Sequence, residues 1–214
     1  TPFRRDVVRE LADACRREGI VFCPYHSICD WRHPDYPLGS PGGKTAKPAP
    51  DMDRYNQYLK NQLAELIRGY GPLGILWFDG EWEATWTAEL GQALLEHVHR
   101  LQPDCLVNSR VAPQPPLPAG APMRRPTYGD FGTPEQQVPD TGVPGVDWES
   151  CITMNHNWGF NRADRDFKSV GALVGLLVET ASKGGNLLLN IGPDGDGAVP
   201  DASVERLDGL AAWM

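Results

Sequence analysis

Asp79, Glu135 and Glu149 are the acidic residues of this chain whose surroundings best suit chemistry. Asp79 closes the apolar run in ILWFDGEW (75–82) and stands between Trp77 and Trp82. A carboxylate at the end of a strand core, in a partly dry aromatic pocket, suits a nucleophile or a base. An aspartate capping the loop or helix that follows fits the same residues, and the spacing leaves both readings open. Glycoside hydrolysis is the reaction that would need a second carboxyl, as acid/base or to activate water. Glu135, in the loop motif GDFGTPEQ, and Glu149, after a tryptophan at the strand end DWES, are the candidates for it. Glu81 and Glu83 read as loop carboxylates facing solvent or other partners.

Other chemistries find less support. His97 and His99 are two residues apart on a helix, so they point in different directions and do not form a ligand pair. His26 and His33 lack partners at metal-ligand spacing. DGDG (194–197) resembles the start of a calcium loop but lacks the later ligands, so it reads as a turn. Neither a glycine-rich nucleotide fingerprint nor a phosphate loop occurs, and G-x-S-x-G is absent as well.

Composition narrows the class further. Hydrophobic residues make up 41% and charged residues 22% of the 214, enough for one core. A formal charge of −8 argues against a nucleic-acid surface, which needs clustered lysine and arginine. No run of about 18 apolar residues occurs, which speaks against a membrane helix. No basic-then-apolar leader opens the chain. Five cysteines without CxxC spacing read as free, mostly buried thiols. Seven tryptophans suit the apolar faces of sugar rings and suit a protein core equally well.

These side chains must be positioned by a framework in which short apolar strands alternate with amphipathic helices. Val7, Val8, Leu11, Ala14 and Cys15 fall at helical spacing before Gly19. GIVFCPYHS then reads as a buried strand running into a loop. A second helix is predicted over 53–68, with Tyr55, Leu59, Leu63, Leu66 and Ile67 inward, and GILWFDG as the next strand. Thr87 caps a helix carrying Leu90, Leu94, Val98 and Leu101. CLVNSR, VDWESCITM and GGNLLLN are further strands, with a helix over 168–182 and a last one capped by Asp201. Residues 111–147 are rich in proline and glycine and read as a functional loop. This alternation predicts an α/β fold with a parallel sheet. The strands end on polar residues throughout: Tyr25-His26-Ser27, Asp79, Asn108-Ser109-Arg110, Glu149 and Asn190. Functional groups spread over every strand end favour a (β/α) barrel over a doubly wound sheet. About five strand–helix units are visible, fewer than a complete barrel has.

Five blocks, YHSICDWRHPDYP, ILWFDGEW, YGDFGTPEQ, WESCITMNHNWGFN and SKGGNLLLNIGPDGDG, occur in an order that resembles the α-L-fucosidases, glycoside hydrolase family 29. The resemblance implies a TIM-barrel-like catalytic domain over 1–214 and removal of terminal α-L-fucose with retention of configuration. It implies Asp79 as nucleophile and Glu135 as acid/base, with Glu149 the alternative. Tyr25, Trp77, Arg110, Glu149 and Trp158 become residues around the sugar. His26 is the one local histidine at a strand end and joins them. No metal or organic cofactor is required, and the partner is a fucosylated oligosaccharide or glycoconjugate, with no nucleic acid or membrane. The family's histidine-pair block, of the type HHDGF, is absent, so the chain is expected to be the later portion of a barrel. Open sheet edges would then pair with a missing barrel segment or a second copy. A non-catalytic fucose-binding fragment is the alternative reading. The family implies a secreted, periplasmic or lysosomal protein.

Overall fold

The structure is a computed structural model and describes residues 4–40, 45–118 and 121–214. Its elements are α1 (Val7–Arg17), β1 (Tyr25–Ser27), α2 (Met52–Tyr70), β2 (Ile75–Asp79), α3 (Ala88–Leu101), β3 (Leu106–Val107), a 3-10 turn (Ser109–Val111), β4 (Glu149–Thr153), α4 (Val170–Ser182), β5 (Asn186–Asn190) and α5 (Asp201–Trp213). All strand pairs between these elements are parallel, as the alternation predicts for an α/β fold. The described residues form a three-stranded sheet, β1-β2-β3, and a two-stranded one, β4-β5, and do not close a barrel. The chain divides into two compact units, Thr1–Leu117 with Pro126–Phe131, and Pro118–Arg125 with Gly132–Met214.

In the first unit, α2 begins where Asp51 accepts a hydrogen bond from the Arg54 N–H. Its Tyr55, Leu59, Leu63 and Ile67 recur every three to four residues and are buried. Each such side chain contributes about 1.5–3 kcal/mol by leaving water. They join Leu76 and Phe78 of β2 and Leu94 and Val98 of α3 in one apolar core. Thr87 caps α3 as expected, accepting from the Leu90 N–H. Gly91 lets α3 approach the chain after β3: a Cβ there would lie 2.4 Å from the Val111 carbonyl oxygen and the Ala112 side chain.

Asn108 fastens the end of β2. Its Oδ1 accepts from the Phe78 N–H at 2.7 Å, and its Nδ2 donates to the Phe78 carbonyl at 2.9 Å. The residue is fully buried. One amide therefore replaces the two ladder bonds that a continued β3 would have made, and it lets the chain turn at Ser109.

Several expectations are corrected. GIVFCPYHS is not a buried strand throughout: Tyr25–Ser27 forms β1 against β2, the Phe22 and Pro24 carbonyls accept from the Gly74 and Trp77 N–H groups, and Ile20 and Val21 are 61% and 66% exposed. A parallel strand is buried only where neighbours cover it, and among the described residues β1 has one neighbouring strand. For the same reason Val7 and Leu11 of α1 lie open, with Ala12 alone buried on that helix. CLVNSR is a two-residue strand followed by the 3-10 turn. Asp201 does not cap α5 but is its first residue, and Pro200 holds the cap position with no side-chain bond. The expectation of mostly buried cysteines is not met: Cys105 and Cys151 are buried, Cys15 and Cys29 half-buried, and Cys23 exposed.

In the second unit, the segment carrying Glu135 is not a free loop. Gly132 bridges Trp148 and Glu135 bridges Cys151, both in parallel sense. Residues 132–136 thus run along β4, with backbone bonds from Gly132 N–H to the Asp147 carbonyl and from Gln136 N–H to the Cys151 carbonyl, each at 2.9 Å. Ser169 caps α4, which packs on β5 and α5.

Asn108→Leu keeps the volume but leaves the Phe78 N–H and C=O unpaired. With about 1–3 kcal/mol for each buried orphan, it is expected to destabilise the first unit by roughly 2–5 kcal/mol. Urea unfolding measures this, and a loss below about 1 kcal/mol would show that the amide does not hold the strand end.

Candidate active site

Side chains along a strand alternate between faces, so Tyr25 and Ser27 share a face with their register partners Trp77 and Asp79. The Tyr25 and Trp77 rings stack at 5.8 Å with an interplanar angle of 19°. Trp77 is buried, and the Arg110 guanidinium lies 5.0 Å from its ring centroid. Asp79 is gripped at both oxygens: Arg110 Nη1 donates to Oδ1 at 2.9 Å and the Tyr25 hydroxyl to Oδ2 at 2.8 Å. The side chains of Arg110 and Asp79 are only 12% and 19% exposed. A charge so placed is costly unless it is paired and hydrogen-bonded, and here it is both. Asp79 is therefore no loop cap. It is an oriented carboxylate at the C-terminal end of a parallel strand, beside a flat aromatic face.

The Tyr25 hydroxyl feels the same charge. The residue is 59% exposed, yet protein packed around its hydroxyl raises its pKa well above the usual tyrosine range. The hydrogen bond to Asp79 and the negative charge of that residue push the same way, and Arg110 opposes them. Tyr25 is thus held as a hydrogen-bond donor.

The turn after Asp79 depends on Gly80, whose φ of +107° suits glycine. A Cβ there would sit 2.6 Å from Cys29 Sγ. The turn carries Glu81 and Glu83 back against the protein, so that of the two surroundings expected for them, solvent or other partners, it is not solvent that they meet. Glu83 is 5% exposed. Glu81 is half-buried, and its Oε2 is buried without a hydrogen-bond partner among the described residues. Its pKa is pushed up to about 7, first by burial and also by the charge of Asp79, while backbone N–H groups and Arg110 pull it down. The sequence contains the signal in DGE, a glycine turn that folds the next carboxylate back toward the first.

His26 is a correction. It stands between Tyr25 and Ser27, so alternation sends it to the opposite face, where its ring meets Phe78 edge-on at 5.8 Å. Its Nδ1 is buried with no partner among the described residues, and burial lowers its pKa. It belongs to the helix-facing side of the sheet and does not join the residues around Asp79.

In the second unit, Glu135 is exposed and aligned with the middle of β4. Gln136 after it takes a φ of +53°, uncommon for a residue with a side chain. Gln136 Nε2 donates to Thr153 Oγ1 at 3.1 Å, and its Oε1 accepts from the Thr153 N–H at 3.3 Å, fixing that backbone. Glu149 does not end a strand. It opens β4, is 5% exposed, and accepts from Asn186 Nδ2 at 3.0 Å, so it braces β4 to β5 at their N-terminal ends. Trp158 is 41% exposed in the loop after β4, and its carbonyl accepts from Asn190 Nδ2 at the end of β5 at 2.7 Å.

Parallel strands alternating with helices, with an oriented carboxylate and aromatic rings at a strand's carboxyl end, define an α/β protein that carries its functional groups where such folds carry them. The α-L-fucosidase family model matches residues 1–214, and the chain belongs to that family. It is 31% identical over 222 residues to the tissue α-L-fucosidase of Macaca fascicularis, covering 98% of this chain and 43% of that protein. To the α-L-fucosidase of Branchiostoma floridae it is 32% identical, covering 98% and 45%. The chain thus spans less than half the length of the curated relatives it matches. Among solved structures, α-L-fucosidase isoenzyme 1 from Paenibacillus thiaminolyticus superposes with a TM-score of 0.86 at 37% identity, covering 98% of this chain and 52% of that one. A Bacteroides thetaiotaomicron α-L-fucosidase, trapped as a covalent intermediate with 2-fluoro-fucosyl fluoride, superposes at 0.83 with 26% identity, covering 100% and 51%.

The grip on Asp79 predicts an optical titration. Tyrosines ordinarily ionise near pH 10. The difference between the alkaline absorbance titrations of the wild type and Tyr25→Phe is expected to show one phenol ionising above that range. In Asp79→Asn the same phenol should move down. An ordinary midpoint in the wild type would contradict the hydrogen bond.

Proposed function

We propose that the protein containing this chain is a retaining α-L-fucosidase acting on fucosylated oligosaccharides or glycoconjugates. The observation that carries the reading is Asp79, held at both oxygens by Arg110 and Tyr25 beside Trp77. Within the same proposal, the parallel strands are part of a (β/α) barrel, a reading supported by the superposition on solved fucosidases. Asp79 is the nucleophile. Its two hydrogen bonds limit its rotation and leave a lone pair for the anomeric carbon. Attack forms an ester between Asp79 and the sugar while a carboxylic acid protonates the departing glycosidic oxygen. Water then opens the ester, giving up its proton to that same residue. Two displacements at one carbon retain its configuration.

The acid/base is assigned to Glu135. Its exposed position suits a group that must exchange protons with water, and the tie from Gln136 to Thr153 steadies the backbone beside it. Glu149, closed in at the start of β4 and bonded to Asn186, suits a brace better than a proton donor. Tyr25 offers exposed ring surface to a sugar, backed by the buried Trp77 on which it stacks, and Trp158 offers exposed indole. Arg110 and Tyr25 also stabilise the negative charge that returns to Asp79 as water opens the ester, so each is expected to influence the rate.

Turnover of an aryl α-L-fucoside tests the reading against a protein that only binds fucose. Asp79→Asn is expected to fold as the wild type and to lose activity by more than about 10³-fold, with azide restoring part of it. Near-normal activity in Asp79→Asn would remove the nucleophile assignment. Arg110→Met is expected to cost on the order of 10²-fold.

Glu135→Ala should slow an unactivated fucosyl disaccharide by about 10²–10⁴-fold and an aryl fucoside with an acidic leaving group far less. If that leaving-group dependence appears in Glu149→Ala instead, the acid/base role moves to Glu149.

A further inference from the structure

Beside the Asp79–Arg110 pair lies a carboxyl that the proposed chemistry does not use. Glu81 comes back toward Asp79 through the Gly80 turn, and its Oε2 is out of contact with water with no donor among the described residues. A buried carboxylate oxygen without a donor is strongly disfavoured, whereas a neutral carboxyl tolerates the same place far better. Arg110 favours the Glu81 anion and Asp79 opposes it. Glu83, buried in the same turn, and the half-buried Cys29 thiol share this surrounding. Cys29 is itself pushed up to about 11, by burial first and also by the three carboxylates Glu83, Asp79 and Glu81. Arg110 is already bonded to Asp79.

We propose that Glu81 is a positioning residue of the Asp79 site. It stands there as a neutral acid, which leaves Arg110 to Asp79, and on losing its proton it adds a second negative charge that competes for that guanidinium. The consequence for turnover rests on Asp79 being the nucleophile; the charge state of Glu81 does not. The pKa of about 7 places the change near neutrality. An ionised Glu81 would draw Arg110 from Asp79 and loosen the orientation that the two hydrogen bonds provide. Activity would then fall on the alkaline side as Glu81 loses its proton.

The sign for stability follows from linkage. A carboxyl raised in the folded state binds its proton more tightly there than in the unfolded chain. Its contribution is complete below the unfolded pKa, is lost as pH rises toward the folded value, and is constant above it. Glu81→Gln, which keeps the shape and cannot ionise, isolates that contribution.

Thermal unfolding of the wild type and Glu81→Gln across about pH 4 to 9 is the test. The wild type should lose Tm relative to the variant from about pH 4.5 to 7 and then run parallel to it. The same comparison in an Asp79→Asn background should place the step at lower pH, because the like charge that opposes ionisation is gone. A flat difference curve overturns the proposal, and so does a step that Asp79→Asn leaves in place. Where turnover is measurable, the ratio of kcat/KM at about pH 8 to that at about pH 6 should rise several-fold in Glu81→Gln. An unchanged ratio would overturn the link to catalysis. A step in Tm without any turnover would count against the fucosidase reading while leaving the charge state of Glu81 established.

Discussion

A charged carboxylate held in a half-buried place is the constraint on which the first unit turns. Asp79 is tolerable there only because Arg110 and Tyr25 reach it, and each of those depends on a different part of the chain. Tyr25 arrives through the parallel register of β1 against β2, which sets Ser27 opposite Asp79 and Tyr25 opposite Trp77. Arg110 arrives because β3 stops after two residues and a 3-10 turn follows. Asn108 permits that stop by taking over the backbone bonds of Phe78. Trp77 supplies the face against which both Tyr25 and Arg110 rest. Three short segments, remote in sequence, thus meet at one carboxylate.

The core beneath serves that arrangement. Tyr55, Leu59, Leu63, Leu94 and Val98 bury the helix-facing side of β2, which carries Leu76 and Phe78. Alternation then leaves Trp77 and Asp79 on the other side. The second unit uses a comparable device at smaller scale. Residues 132–136 borrow order from β4 through backbone bonds, and Gln136 accepts an unfavourable φ because its amide is fixed to Thr153. Glu135 is therefore mounted on an aligned segment even though the surrounding sequence is rich in proline and glycine.

What could be read from the sequence follows the range of the forces involved. Local periodicity located α2 and α3 almost to their ends, because apolar spacing and a capping side chain act within a few residues. The parallel α/β class was legible for the same reason. Asp79 stood out because a carboxylate closing ILWF is costly without a partner. Its partners were less legible: Tyr25 and Arg110 came from family resemblance, and nothing local shows that their donors converge on one carboxylate. Exposure was misjudged where covering neighbours decide it, as for Ile20, Val21 and Leu11. His26 was misjudged because a one-residue step along a strand reverses the face. The sequence leaves solvent or other partners open for Glu81, because the fold-back at Gly80 depends on a positive φ that composition does not reveal. Glu149 was taken to end a strand because Trp148 before it reads as strand, whereas pairing with β5 begins at Glu149.

The most direct test of the central claim is to identify the atom that bonds to the sugar. A 2-fluoro-fucosyl fluoride should fucosylate Asp79 as fluoride leaves the anomeric carbon, and the ester should be long-lived, because the fluorine at C2 destabilises the oxocarbenium-like transition states of both steps. Intact-mass spectrometry followed by peptide mapping is expected to find one fluorofucosyl adduct on the peptide containing ILWFDGEW, at Asp79, and none in Asp79→Asn. An adduct on another carboxylate, or undiminished turnover of an aryl fucoside with no adduct at Asp79, would contradict the account.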